Sequence, residues 1–160
     1  MNAIYLASGS PRRREILENL GFTVRRLPAD LDETPKEGEA AVEYVRRMAC
    51  EKNQAAVAQW FAAHEQEPEF AVLTADTTVA DGAVILGKPE SEADAVDMLE
   101  RLSGRTHQVL TAVCVYWQGV RHDVVQTSEV SFKTLTAEEI AAYVAGGGPV
   151  GKAGGDGLIG

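Results

Sequence analysis

Ala3-Ile4-Tyr5-Leu6-Ala7-Ser8-Gly9-Ser10-Pro11-Arg12-Arg13-Arg14 is the stretch on which the fold class turns. A five-residue apolar run stops at Ser-Gly-Ser. Pro11 then opens a segment in which Ile16, Leu17 and Leu20 recur at helical spacing until Gly21. This reads as strand, turn, helix, with Ser10 as N-cap, Pro11 at the first helical position and Gly21 in the left-handed conformation beyond the helix. A helix N-terminus carries free N–H groups and the positive end of the dipole, so the turn favours an anion. The hydroxyls of Ser8 and Ser10 and the guanidiniums of Arg12 and Arg13 complete a candidate phosphate cradle. An ordinary capped helix with a solvated arginine face accounts for the same residues.

Outward from that turn the pattern alternates between periods. Phe22 to Leu27 reads as a strand and Pro28 to Gly38 as an acidic loop. A long helix is expected from about Glu39 to Ala63, with Val42, Val45, Met48, Ala49, Ala55 and Ala56 as its inner stripe and Lys52 on that stripe. Phe70 to Ala75 reads as a buried strand, with Asp76 at its C-terminal edge. Val79 to Ile85 folds back through Asp81-Gly82. Ser91-Glu92-Ala93-Asp94 resembles a capping box for a helix through Val96, Leu99 and Leu102, stopped by Ser103-Gly104. Thr136-Ala137-Glu138-Glu139 is a full capping box for a helix ending near Ala145. Between them, His107 to Trp117 and Val120 to Leu135 form an antiparallel ribbon joined at Gln118-Gly119. The class is α/β: a single-domain mixed twisted sheet with flanking helices and that ribbon.

A chain of 160 residues with 45% apolar and 24% charged residues suits one domain with one core. The formal charge of -9 argues against a general nucleic-acid or anionic-membrane surface, which requires many cations. A small phosphorylated ligand needs only a local cluster. Cys50 and Cys114 lack any CxxC spacing and read as two free thiols. The N-terminus enters a strand without a basic leader and no run reaches membrane-spanning length, so a cytoplasmic protein is expected.

Four further features carry chemistry. Lys52 on an apolar helical face needs a compensating anion, unless it snorkels. Lys88 in Gly87-Lys88-Pro89 sits in a stiff loop after a hairpin. Asp76, followed by Thr77-Thr78, is placed for metal ligation or general-base work. Glu33 in Asp32-Glu33-Thr34-Pro35 is either a second carboxylate for magnesium or part of a solvated loop. Gly146 to Lys152 matches the outline of a P-loop, but Ala153 stands where Ser or Thr must hold magnesium, and the match follows a helix. His64, His107 and His122 are isolated in sequence from one another and from the cysteines.

In order along the chain, Leu-Ala-Ser-Gly-Ser-Pro-Arg-Arg, Asp-Glu-Thr-Pro, Glu51-Lys52, Thr74-Ala75-Asp76-Thr77, Gly87-Lys88-Pro89, Leu102-Ser103-Gly104 and Lys152-Ala153-Gly154 resemble the Maf family of nucleotide pyrophosphatases over essentially the whole chain. The resemblance implies a Maf/ITPase-like cleft enzyme that releases pyrophosphate from a nucleoside triphosphate with a divalent cation, Mg2+ or Mn2+. It implies Asp76, Lys52 and Lys88 as catalytic residues, with Ser8, Ser10, Arg12, Arg13, Thr77 and Lys152 on the substrate. Glu33 and Asp76 are the implied metal ligands. Arg12 after Ser10-Pro11, with Thr77 and the His107 to Val113 segment, resembles the dTTP/UTP branch, whereas the 7-methyl-GTP branch is the alternative. Ile159 occupies a third specificity position where the family segment has Gln, and an aliphatic side chain lacks the carboxamide's donor and acceptor. Relatives continue into a further strand and helix, so a shortened nucleotide-binding member with little turnover is a second alternative. No nucleic-acid or membrane partner is implied, and a homodimer is compatible with the resemblance.

Overall fold

The computed structural model describes residues 2–7, 10–29, 31–87 and 89–146. The elements run β1 (Ala3–Leu6), α1 (Pro11–Asn19), β2 (Thr23–Arg26), α2 (Ala41–Ala63), β3 (Val72–Asp81), β4 (Val84–Leu86), α3 (Glu92–Leu102), β5 (Thr106–Trp117), β6 (Val120–Ser131) and α4 (Ala137–Ala145). A mixed sheet has the order β2-β1-β3-β5-β6, with β4 paired to β3. The α/β class read from the sequence is the one observed.

The helix starts were legible because capping is local. Ser10 accepts from the Arg13 N–H and Pro11 opens α1, while Gly21 sits at φ +95° just beyond it. At α4, Thr136 accepts from the Glu139 N–H and the Glu139 carboxylate accepts from the Thr136 N–H, the reciprocal box. At α3 the reciprocity fails: Ser91 Oγ accepts from the Asp94 N–H, but Asp94 Oδ2 takes the Glu90 N–H instead. Asp is one methylene shorter than the Glu or Gln that normally closes this box.

Other expectations shift. Helix α1 buries no residue; Ile16 and Leu20 are 49% and 69% exposed, and Leu17 alone of the three packs into a core cluster. Helix α2 begins at Ala41 rather than Glu39, with Val42 exposed and Ala55 only half-buried, and its buried face is Val45, Met48, Ala49, Asn53, Ala56 and Val57. The ribbon's second strand stops at Ser131 rather than Leu135. Its turn at Gln118 and Gly119, with φ of +47° and +84°, has the left-handed pair that a two-residue hairpin needs. The earlier hairpin turns on Gly82 and Ala83, because Asp81 still pairs with Val84.

The chain forms two compact units. The first comprises residues 1–37, 43–76 and 111–125, and the second residues 38–42, 77–110 and 126–160. In the first, Tyr5, Ala7, Ala56, Val57, Val72 and Tyr116 form one cluster, flanked by Trp60 and Phe70; Ile4, Leu6 and Val24 form another. In the second, Val79, Leu86, Leu102 and Val109 pack together, and Ala95 and Leu99 of α3 meet Ile140 and Val144 of α4.

The second unit also buries a carboxylate that the sequence did not single out. Asp81 accepts from Arg101 Nε and from an Arg105 terminal nitrogen, both at 3.0 Å. Asp81→Asn keeps the shape and removes the charge. It is expected to cost about 2 kcal/mol, less than a fully buried pair, because both guanidiniums are partly in water. Urea unfolding with an unchanged m-value checks this.

Candidate active site

The site is built on the first unit. Strands β1 and β2 are parallel, pairing Ala3 to Thr23 through Leu6 to Arg26, and β1 is parallel to β3 through Tyr5 with Val72 and Leu6 with Leu73. The Ala7 N–H donates to the Leu73 carbonyl, the last bond of that ladder among the described residues. Asp76 therefore lies past the end of β1. It is not at the C-terminal edge of its own strand, as expected, but the fifth residue of ten in β3. Thr77 and Thr78 extend the strand instead of ending it, as β-branched residues do readily once paired. The position keeps its chemical meaning, because ligands of open α/β sheets gather at the carboxyl ends of parallel strands.

Three charged groups meet there. Lys52 Nζ, on α2, donates to Asp76 Oδ1 at 2.9 Å and to Glu33 Oε1 at 3.1 Å. Asp76 is 7% exposed, so its charge is compensated by the ammonium rather than by bulk water. Arg13 faces the same carboxylate: burial pushes its guanidinium below the ordinary range, and Asp76 opposes that shift. An arginine remains a cation through such a change.

Glu33 is held in the loop before α2 by bonds around it. Tyr44 Oη donates to the Glu33 carbonyl at 2.5 Å, and an Arg47 terminal nitrogen donates to the Thr34 carbonyl at 3.2 Å. Asp32 closes a local turn by accepting the Thr34 N–H at 2.9 Å, and hydrogen bonds from Thr34 hold its carboxyl below the usual range. The acidic loop is thus stapled to the helix that carries Lys52.

Of the remaining residues expected at the site, Ser10 and Arg12 lie at the N-terminal turn of α1, Ser10 half-buried and Arg12 exposed. Thr77 follows Asp76 in β3 and projects from the opposite face by the two-residue period of a strand. Ser8, Lys88, Lys152 and Ile159 lie outside the described residues. Cys114 is no candidate nucleophile, since burial, with the neighbouring Cys50, pushes its thiol up to about 12.

Two carboxylates converging on one ammonium present hard oxygens to a common point. Magnesium sites typically take one or two carboxylates and complete their shell with substrate phosphates and water. Glu33 and Asp76 fit that role, and among the described residues no cluster of three or more His, Cys, Asp or Glu offers a closed metal cage. The sequence reading missed Asn53 and Arg121 and gave Thr74, quoted only as part of a motif, no role; Asn53 bonds the Val72 and Cys114 carbonyls and Arg121, and Thr74 bonds the Ala49 carbonyl. A polar residue on the apolar stripe, Asn53 four positions after Ala49, was the available signal.

The family model described as Maf-like protein matches residues 3–160. The chain belongs to the Maf family. It is 53% identical over 154 residues to a dTTP/UTP pyrophosphatase of Neisseria gonorrhoeae, covering 96% of this chain and 76% of that protein. A Pasteurella multocida protein of the same name is 51% identical over 96% of this chain and 78% of its own length. A nucleoside triphosphate pyrophosphatase of Haemophilus ducreyi is 47% identical, with 97% and 78% covered. Among solved structures, the Staphylococcus aureus Ham1 protein superposes with a TM-score of 0.51 at 14% identity, covering 81% of this Maf-family chain and 71% of that one. At that identity the likeness is one of fold alone. Among the described residues no helix is long and apolar enough to cross a membrane.

Proposed function

We propose that this Maf-family chain hydrolyses nucleoside triphosphates, dTTP and UTP foremost, to the monophosphate and pyrophosphate, with residues 1–160 acting as one catalytic domain. The observation that carries the reading is the Glu33–Lys52–Asp76 cluster beside Arg13, at the carboxyl end of β1 and the N-terminus of α1. The names of relatives near 50% identity support the same substrates.

The triphosphate is received at the N-terminal turn of α1, where the positive end of the helix dipole meets Ser10, Arg12 and Arg13. Lys52 occupies Asp76 Oδ1, which leaves Oδ2 to orient a water toward the α-phosphorus. The water oxygen forms the new P–O bond, its proton passes to Asp76, and the bond from the α-phosphorus to the bridging oxygen breaks with its electron pair leaving on pyrophosphate. Lys52 and Arg13 balance the charge that develops. Glu33 and Asp76 would hold a divalent cation, which would supply Lewis-acid polarisation of the phosphates. The intended setting is the cytoplasm, with no nucleic-acid partner.

A panel of dTTP, UTP, CTP, GTP and 7-methyl-GTP, assayed for pyrophosphate with magnesium or manganese, tests this. The expected result is turnover of dTTP and UTP at least tenfold above the rest in kcat/KM. A preference for 7-methyl-GTP moves the chain to the sister branch, and calorimetric binding of dTTP without turnover makes it a nucleotide-binding member instead.

A further inference from the structure

We propose that Thr74 and Asn53 are positioning residues that set the Lys52–Asp76 pair, with Arg121 fixing the orientation of Asn53. The part concerning catalysis rests on the function proposed above; the part concerning geometry does not.

Asn53 is fully buried, with 0% exposure, on the face of α2 next to Lys52. Its Nδ2 donates to the Val72 carbonyl of β3 at 3.0 Å and to the Cys114 carbonyl of β5 at 3.2 Å, while its Oδ1 accepts from Arg121 Nε at 2.9 Å. The Arg121 guanidinium lies over the Tyr116 ring, 5.1 Å from its centroid. Thr74, also 0% exposed, donates from Oγ1 to the Ala49 carbonyl at 2.7 Å. Helix α2 and strand β3 are therefore tied at two levels, Asn53 with Val72 and Ala49 with Thr74.

The two ties are commensurate. Four helical residues rise about 6 Å and two strand residues about 6.6 Å, so both bonds close without sliding helix against strand. They also fix where Lys52 arrives. Its side chain leaves α2 between the two levels and leans toward the helix N-terminus, as helical side chains do. That is the direction from Val72 past Thr74 to Asp76. Thr74 and Asp76 share a face of β3 because they are two residues apart. A packed apolar contact resists separation of helix and strand but tolerates sliding; two hydrogen bonds at a matched spacing do not. A slide of about 1 Å along the line from Lys52 Nζ to Asp76 Oδ1 would stretch their 2.9 Å contact to about 3.9 Å, beyond hydrogen-bond range.

The test compares Thr74→Val, which keeps shape and loses the hydroxyl, with Thr74→Ser, which keeps the hydroxyl. Arg121→Met is an exposed third variant that leaves the core residues in place. The first readout is the rate at which an amine-acylating reagent modifies Lys52 in the folded protein, followed by mass spectrometry with Lys133 as internal reference. Thr74→Val is expected to raise the Lys52 rate at least fivefold, Arg121→Met about twofold, and Thr74→Ser not at all. The second readout is pyrophosphate release: kcat falls at least tenfold in Thr74→Val while KM stays within threefold, and Thr74→Ser restores it. Unchanged Lys52 labelling in Thr74→Val overturns the proposal, as does a Thr74→Ser variant as impaired as Thr74→Val. Should Thr74→Val fail to fold, wild-type labelling in Arg121→Met overturns it. A wild-type protein that releases no pyrophosphate, yet shows the labelling pattern, refutes the proposed function and leaves the positioning assignment standing.

Discussion

Asp76→Asn is expected to lower kcat for dTTP by about a thousandfold, some 4 kcal/mol of barrier, while the protein stays folded. The substitution keeps the volume and keeps an oxygen for Lys52, so the 2.9 Å contact has a neutral replacement. What it removes is the anionic oxygen that takes the water's proton and one of the two carboxylates able to hold a divalent cation. Because both losses bear on the transition state, kcat rather than KM should carry the effect. Glu33→Gln separates them: Glu33 is half in water, with its side chain 51% exposed, and its loss should weaken metal dependence while sparing proton transfer. Metal titrations of both variants check the distinction.

Lys52→Met has the second largest expected effect, and it acts on stability as well as rate. The ammonium is largely buried, with its side chain 15% exposed, between two carboxylates. Its removal leaves Asp76 buried with Arg13 as its compensating cation among the described residues, and brings Glu33 into uncompensated proximity. A loss of about 2 kcal/mol in unfolding free energy is expected, below the fully buried value because Glu33 is half exposed. A hundredfold fall in kcat should accompany it. Adding Asp76→Asn should restore most of the stability and none of the activity, since the uncompensated charge is gone but the chemistry is not rebuilt. If the double variant is less stable than Lys52→Met, Lys52 is not serving as the counter-ion.

The parts of this fold that were legible in the sequence are those with local causes. Ser10, Thr136 and the Gln118-Gly119 turn act within a few residues of themselves, and each appears as read. The departures share a different cause. Helix α2 turns Asn53 inward and Val42 outward because its inner face is chosen by strands far along the chain. The partners of Asn53 lie 19, 61 and 68 residues away. Strand β3 runs on through Thr77 and Thr78 to the residues that pair with β4, Val79 to Asp81, so its end is set by chain beyond Asp81 and not by the two polar residues after Asp76. At the site, Lys52 was legible as a cation needing an anion, since an ammonium on an apolar stripe is an energetic anomaly in any fold. That its partners are Asp76, 24 residues on, and Glu33 across a loop is a matter of tertiary register. No spacing in the sequence encodes it.

In the reaction proposed for this site, water attacks the α-phosphorus and not the β- or γ-phosphorus. Hydrolysis of dTTP in water enriched in oxygen-18, with the products resolved by phosphorus NMR or mass spectrometry, tests it most directly. One labelled oxygen in dTMP and unlabelled pyrophosphate are expected. Label in the pyrophosphate, or release of labelled orthophosphate with dTDP, would place the attack on another phosphorus and contradict it.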